Sequence, residues 1–168
     1  MIIRVEKDSD ITAIETLTYS AFKDHPHHEP GAAPTEHLIV NRLRDANALT
    51  LSLVAEVNNQ VVGHIAFSPV LINGETTNWY GLAPVSVLPE QQNNGIGKSL
   101  INQGLAQLKK RGAEGFVLLG EPEYYNRFGF KALPELTLTG VPAEYFLALP
   151  ITNSIPVGEV TYHPEFFE

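Results

Sequence analysis

Residues 85–100, VSVLPEQQNNGIGKSL, decide how the rest of the chain is read. An apolar run reaches Pro89, a polar turn Gln91-Gln92-Asn93-Asn94 follows, and Gly95-Ile96-Gly97-Lys98-Ser99 leads into an apolar periodic segment. The pattern is a strand, a glycine-bearing turn and a helix start. A helix start exposes unpaired backbone N–H groups at the positive end of the helix dipole, a combination that binds phosphate. A Walker A loop would need glycine where this chain has Gln92, and a dinucleotide fingerprint would need glycine where it has Leu100. With both excluded, the surviving motif is Q-x-x-G-x-G on Gln92, Gly95 and Gly97, preceded by Val87 and Pro89. Its two glycines let the backbone bend closely around an anion.

Past the turn the periodicity is helical over 95–111. Ile96, Leu100, Ile101, Leu105 and Leu108 fall on one face, and Gly112 is placed to end the helix. GFVLL at 115–119 is the continuous apolar run of a buried strand. Strand, helix and strand in succession imply a right-handed crossover, which lays this strand parallel to one at 77–88. Before the turn the chain reads as an antiparallel meander over 51–57, 61–72 and 77–88, with Asn58-Asn59 and Asn73-Gly74 as hairpin turns. Pro84 cannot donate to a ladder, so the third strand has a bulge or an unpaired side there.

At the N-terminal end, Ile2 to Val5 predict a short strand. Asp8 or Ser9 then caps a helix marked by Ile11, Ile14, Leu17 and Ala21. Residues 23–34 hold three prolines, a glycine and three histidines and read as a loop. A second helix follows from Thr35 to about Asn47, with Leu38, Ile39 and Leu43 turned inward. Towards the C-terminal end, a short helix is expected over 123–128 and strands near 146–149 and 158–162.

A length of 168 residues with 43% hydrophobic composition predicts one domain over 1–168. The absence of cysteine excludes thiolate metal sites and a covalent Cys nucleophile. Eleven Lys+Arg against 19 Asp+Glu give a net charge of −8 with no basic cluster, which argues against nucleic acid and favours a cationic or amine-bearing partner. No stretch approaches a membrane span, and the cytosol is the default compartment. Oligomeric state stays open, a homodimer included.

The turn resembles the acetyl-CoA pyrophosphate loop of the GNAT superfamily of N-acetyltransferases, whose strand order is similar to the one just derived. Gly63-His64-Ile65-Ala66-Phe67-Ser68-Pro69-Val70, Tyr124-Tyr125-Asn126-Arg127-Phe128-Gly129-Phe130 and Tyr162-His163-Pro164 resemble the YhbS-like group of predicted acetyltransferases within it. The resemblance implies an α/β (α+β) fold, with a mixed, mostly antiparallel sheet flanked by helices and splayed between its fourth and fifth strands. It implies a pantetheine arm in that gap along Val85, Ser86 and Val87, and a pyrophosphate on the turn formed by Gln92, Asn93, Asn94, Gly95, Ile96, Gly97 and Lys98.

It further implies transfer of an acetyl group from acetyl-CoA to a primary amine, on a small molecule or a peptide, directly within a ternary complex. Val87 N–H would meet the oxyanion. Tyr125, in Y-x-x-x-G-F with Gly129 and Phe130, matches the family's general acid. A phenol of pKa ~10 donates slightly uphill to a thiolate whose thiol lies near ~8.5, so positioning contributes as much as acidity. His64, Glu56, Glu121 and a chain of waters all remain as bases.

Other readings stand beside these. A non-catalytic acyl-CoA-binding sensor keeps the glycine turn and is indifferent to Tyr125, which would then be packing beside Tyr124 and Phe128. A metal-dependent hydrolase would use His25, His27 and His28 with Glu29, Glu36 and His37. That spacing matches no zinc-hydrolase signature, so no metal is expected and the segment reads as an acceptor-side loop. His64 shares a strand face with Ser68 and is either a pocket residue or a core histidine. Trp79-Tyr80 reads as packing or an interface rather than a ligand platform.

Overall fold

In the computed structural model, Asn58 and Asn59 take φ of 51° and 63°, and Asn73 and Gly74 take 53° and 74°. These left-handed conformations are the ones a type I′ hairpin requires. They join β2 (Leu51–Val57), β3 (Gln60–Ile72) and β4 (Glu75–Val87) into the expected meander. β1 (Ile2–Val5) adds antiparallel to β2. The structure describes residues 1–23 and 33–166.

The long helix is α3 (Ile96–Lys110), and the crossover through it lays β5 (Gly115–Leu119) parallel to β4. β7 (Phe146–Pro150) closes the order β1-β2-β3-β4-β5-β7. β8 (Gly158–Tyr162) pairs with the end of β3 beyond the reach of β2, and carries β6 (Leu136–Thr137) in parallel. β6 is only two residues long and leaves no periodicity to read.

α3 covers one face, where Ile96, Leu100, Ile101 and Leu105 pack with Leu53, Ile65, Phe67 and Leu82. On the other face lie α1 (Ile11–Phe22) and α2 (Glu36–Asp45), with Ile14 and Val40 against Val54. Two local expectations change. α2 is phased by Val40 and Leu43, both fully buried, which rotates Leu38 outward to 41% exposure. Neither Asp8 nor Ser9 caps α1. A 3-10 turn covers Asp8–Asp10, and the Asp10 carboxylate accepts the Lys7 N–H at 2.7 Å and pairs with Arg4 at 2.7 Å.

What positions the site is the way β4 and β5 part. Their pairing runs from Trp79↔Gly115 to Gly81↔Val117 and stops, although β4 continues to Val87. Between Ile65↔Val85 and Phe67↔Leu82, β4 carries one more residue than β3, so the bulge lies at Ala83-Pro84, which are joined by a cis peptide. Beyond the bulge, β4 remains bound to β3 alone.

Candidate active site

Leu88 N–H donates to Val62 O at 2.9 Å, which turns that residue's polar groups towards β3. Strand alternation then gives β3 the backbone groups of Ser86 and gives the gap those of Val85 and Val87. The Val87 carbonyl, facing the gap, accepts Gln92 Nε2 at 3.1 Å. Gln92 therefore braces the turn against the splayed strand, and the Val87 N–H is left facing the opening.

Gly95 begins α3 with φ +81°, a conformation costly for any residue with a Cβ. No side chain caps this end, and the first helical bond is Ser99 N–H to Gly95 O at 3.0 Å. The N–H groups of Ile96, Gly97 and Lys98 thus open the first turn without a partner inside the helix. Gly97 is a different case. A Cβ there would lie 3.6 Å from Tyr124 Oη and 3.8 Å from Val87 Cγ2, ordinary contact distances, so packing does not demand glycine.

A cleft of about 810 Å³ runs over this turn. Of the sequence-predicted residues, Val85, Val87, Gln92, Asn93, Gly95, Ile96, Gly97 and Lys98 line it. Two do not. Ser86 is 1% exposed and turns its hydroxyl to the opposite face, where it donates to Thr18 Oγ1 at 3.4 Å. Asn94 stands exposed at the tip of the turn. The cleft also takes in Ser20 to Lys23 from the end of α1, together with Tyr124 and Arg127. Sequence reasoning missed Arg127, although it lies inside Y-x-x-x-G-F. Its guanidinium stacks 4.6 Å over the Tyr124 ring and its Nε donates to Tyr124 O at 2.9 Å.

Tyr124 and Tyr125 come from α4 (Pro122–Tyr125), a single turn started by Pro122 and continued as a 3-10 turn over Asn126–Phe128. The Tyr125 ring lies over Gly120, where a Cβ would come within 2.5 Å of it, so this glycine makes room for the ring. Burial, with Tyr124 alongside, pushes the Tyr125 phenol up to about 12.

A second cleft, of about 590 Å³, lies in the splay itself, between Leu82–Val85 on β4 and the stretch from Leu119 at the end of β5 to Glu121. Phe22, Val85, Tyr124 and Tyr125 line both clefts. Of the side chains weighed as bases, Glu121 alone borders this second cleft. Glu56 is bound to Arg4 at 2.8 Å. His64 is fully buried and sits in a chain that runs from Arg44 to Glu6 (2.8 Å), on to Ser52, and then to His64 Nε2 (2.7 Å).

The Ser52 hydroxyl gives its proton to Glu6, so it accepts from His64 Nε2–H, and the bare Nδ1 has no partner among the described residues. Burial lowers His64 to about 4. Burial also pushes Glu6 upward, but the Arg44 and Ser52 bonds outweigh it and hold the carboxyl below its ordinary value. His64 is thus a satisfied core histidine on its Nε2 side and lines neither cleft.

His25, His27, His28 and Glu29 lie outside the described residues. Among those described, no group of three His, Asp or Glu is arranged to hold a metal. Among the described residues, no helix is long and apolar enough to cross a membrane.

Residues 2–133 match the model of the acetyltransferase (GNAT) domain. The chain is 37% identical to the Escherichia coli K12 N-acetyltransferase YhbS over 132 residues, 78% of this chain and 74% of that protein. The Escherichia coli K12 N-acetyltransferase YjhQ is 34% identical over 140 residues, 82% and 70% of the two chains. A Brucella melitensis GNAT acetyltransferase crystallised with acetyl-CoA superposes with a TM-score of 0.86 at 49% identity, over 98% of this chain and 97% of that one. Escherichia coli YhbS in complex with CoA superposes at 0.89 and 32% identity, over 99% and 92%. The splayed sheet, the uncapped glycine turn and these matches agree: the chain belongs to the GNAT acetyltransferase family.

Proposed function

We propose that the chain, as one domain, transfers the acetyl group of acetyl-CoA to a primary amine by direct attack with both substrates bound. The observation that carries this reading is the meeting of two clefts at Phe22, Val85, Tyr124 and Tyr125, one over the glycine turn and one in the splay. Two substrates entering from opposite sides would bring their reacting atoms together there. The relatives crystallised with acetyl-CoA and CoA support the choice of acyl donor.

The residues fit that donor. The first-turn N–H groups of α3, with Lys98 and Arg127 on the rim, take its pyrophosphate. Val85 and Val87, where they line the cleft over the turn, offer the pantetheine amides their outward-facing backbone groups. Ser86 and Asn94 contribute through their backbone alone. Acetyl-CoA supplies an activated acyl carbonyl, and the transfer exchanges its C–S bond for the C–N bond of an amide. Val87 N–H donates to the carbonyl oxygen as charge builds there.

The Tyr125 hydroxyl gives its proton to the departing sulfur. With its pKa raised to about 12, Tyr125 stays protonated across the working range, and its contribution rests on position more than on acidity. Glu121, exposed at the edge of the second cleft, passes the amine's proton to solvent. Thiol release from acetyl-CoA over a panel of amines, run beside equilibrium binding of acetyl-CoA, tests the reading. Binding without turnover of any amine would leave the sensor in its place.

A further inference from the structure

The half-buried ring of Tyr124 is held from three sides. Tyr125 meets it edge-on, with centroids 4.9 Å apart at 89°, Phe128 packs at 5.7 Å, and the Arg127 guanidinium covers its face at 4.6 Å. Held there, the ring brings its hydroxyl to the first turn of α3. A Cβ built on Gly97 would stand 3.6 Å from Tyr124 Oη and 3.8 Å from Val87 Cγ2, so the hydroxyl lies at the corner where the turn meets the splayed strand. Because Gly97 has no side chain, nothing of its own fills the space beneath that hydroxyl. Among the described residues, the Tyr124 hydroxyl makes no hydrogen bond.

From this geometry we infer that the Tyr124 hydroxyl donates to the diphosphate of acetyl-CoA, beside the first-turn N–H groups, and that Tyr124 positions the acyl donor in a role separate from that of Tyr125. It rests on the acetyl-transfer reading above, in which that diphosphate lies on the turn, and adds a side-chain ligand to the same site. A ring that served only to pack against Tyr125, Phe128 and Arg127 would have no use for its oxygen, since phenylalanine offers the same faces. A diphosphate carries more lone pairs than the N–H groups of one helical turn can meet, and an O–H bond to an anionic oxygen is among the stronger hydrogen bonds. The three contacts fix the ring in advance, so little rotamer freedom is lost when that bond forms. Arg127, stacked on the ring, brings a positive charge to the same side of the cleft. The neighbouring ring is placed differently. Tyr125 lies over Gly120 and packs against Phe130 at 6.2 Å. Two adjacent tyrosines thus serve two ends of one co-substrate, Tyr124 the diphosphate and Tyr125 the thioester.

The test titrates the full chain and its Tyr124→Phe variant with three probes: CoA, 3′-dephospho-CoA, which keeps the diphosphate, and pantetheine, which has no phosphate. Tyr124→Phe retains the aromatic contacts and the face that Arg127 covers. It is expected to weaken CoA and 3′-dephospho-CoA alike by about tenfold, and pantetheine by less than about twofold. With an amine that is turned over, KM for acetyl-CoA is expected to rise by the same factor while kcat holds. Unchanged CoA binding in the variant overturns the inference by leaving the hydroxyl idle. An equal loss on pantetheine overturns it by assigning the effect to packing, and a loss confined to CoA by moving the contact to the 3′-phosphate. Should the wild-type chain hold pantetheine as tightly as CoA, the diphosphate is off the turn, and the donor reading falls together with the inference. Should the three probes behave as expected while no amine is acetylated, acetyl transfer is removed and the Tyr124 contact stands.

Discussion

The two clefts are built from different materials. The one over the glycine turn is made largely of backbone: the first-turn N–H groups of α3, the left-handed Gly95 and the gap-facing edge at Val85 and Val87. Most of it falls within one run of sequence. The one in the splay is made of side chains from the ends of α1 and α2, from β4, from the loop after β5, from α4 and from Phe166. Backbone recognition constrains glycines at fixed spacing and so writes a local motif, whereas a side-chain pocket asks only for apolar bulk and a few charges at places the fold brings together.

Tyr125 stands where the clefts meet, and its variant has the largest expected effect. Tyr125→Phe retains the ring over Gly120 and loses the proton. We expect kcat to fall about 100-fold or more, with acetyl-CoA affinity changed less than about twofold. Single-turnover kinetics with a titration of acetyl-CoA measure both. Wild-type turnover in this variant would make the junction a place of packing and dissolve the contrast between a binding cleft and a reacting one.

Gly97 tests the backbone character of the first cleft. Because a Cβ there meets only ordinary contacts, Gly97→Ala is expected to leave the fold intact and to gain up to about 1 kcal/mol of helix stability. On the proposed reading the added methyl would occupy the approach of the pyrophosphate, so acetyl-CoA affinity is expected to fall about tenfold. Higher thermal stability with undiminished affinity would move the phosphate away from the turn. Gln92→Ala should act more gently. Losing the 3.1 Å bond to the Val87 carbonyl frees the turn from β4, and about 1 kcal/mol, or roughly fivefold in acetyl-CoA affinity, is the expected loss.

These differences explain what was legible in the sequence. The meander was readable because Asn58-Asn59 and Asn73-Gly74 are local turn chemistry. The crossover was readable because α3 and β5 carry unbroken patterns. Pro84 announced the bulge, and the end of β4–β5 pairing at Gly81↔Val117 follows just before it in space. Ser86 was not separable from Val85 and Val87, since a run of three strand residues shows neither which face nor which edge each takes until the partner's register is known. Arg127 was hidden inside a motif read only for its tyrosine and glycine. The walls of the second cleft, from Phe22 to Phe166, lie too far apart in the chain for spacing to join them.

His64 gives the last and smallest effect on activity. The sequence left it between pocket and core, and the fold places it in neither cleft, under α1 and α2 at the end of the Arg44–Glu6–Ser52 chain. Its folded pKa of about 4 lies below the ordinary 6.5, so from pH 6.5 down to about 4 the unfolded chain binds more protons than the native one. Stability therefore rises with pH across that window and is lost on acidification through it, by about 1.4 kcal/mol for each unit of difference. Glu6, held below its usual value, adds a second loss that begins lower, below its ordinary pKa of 4.5. His64→Gln retains a donor for Ser52 and carries no titrating group. Denaturant melts from pH 7 to about 3 should lose the upper limb of the pH dependence and keep the lower one, while the pH profile of kcat/KM stays where it is. A displaced kinetic profile would put His64 in the proton path and make the buried chain a third part of the active site.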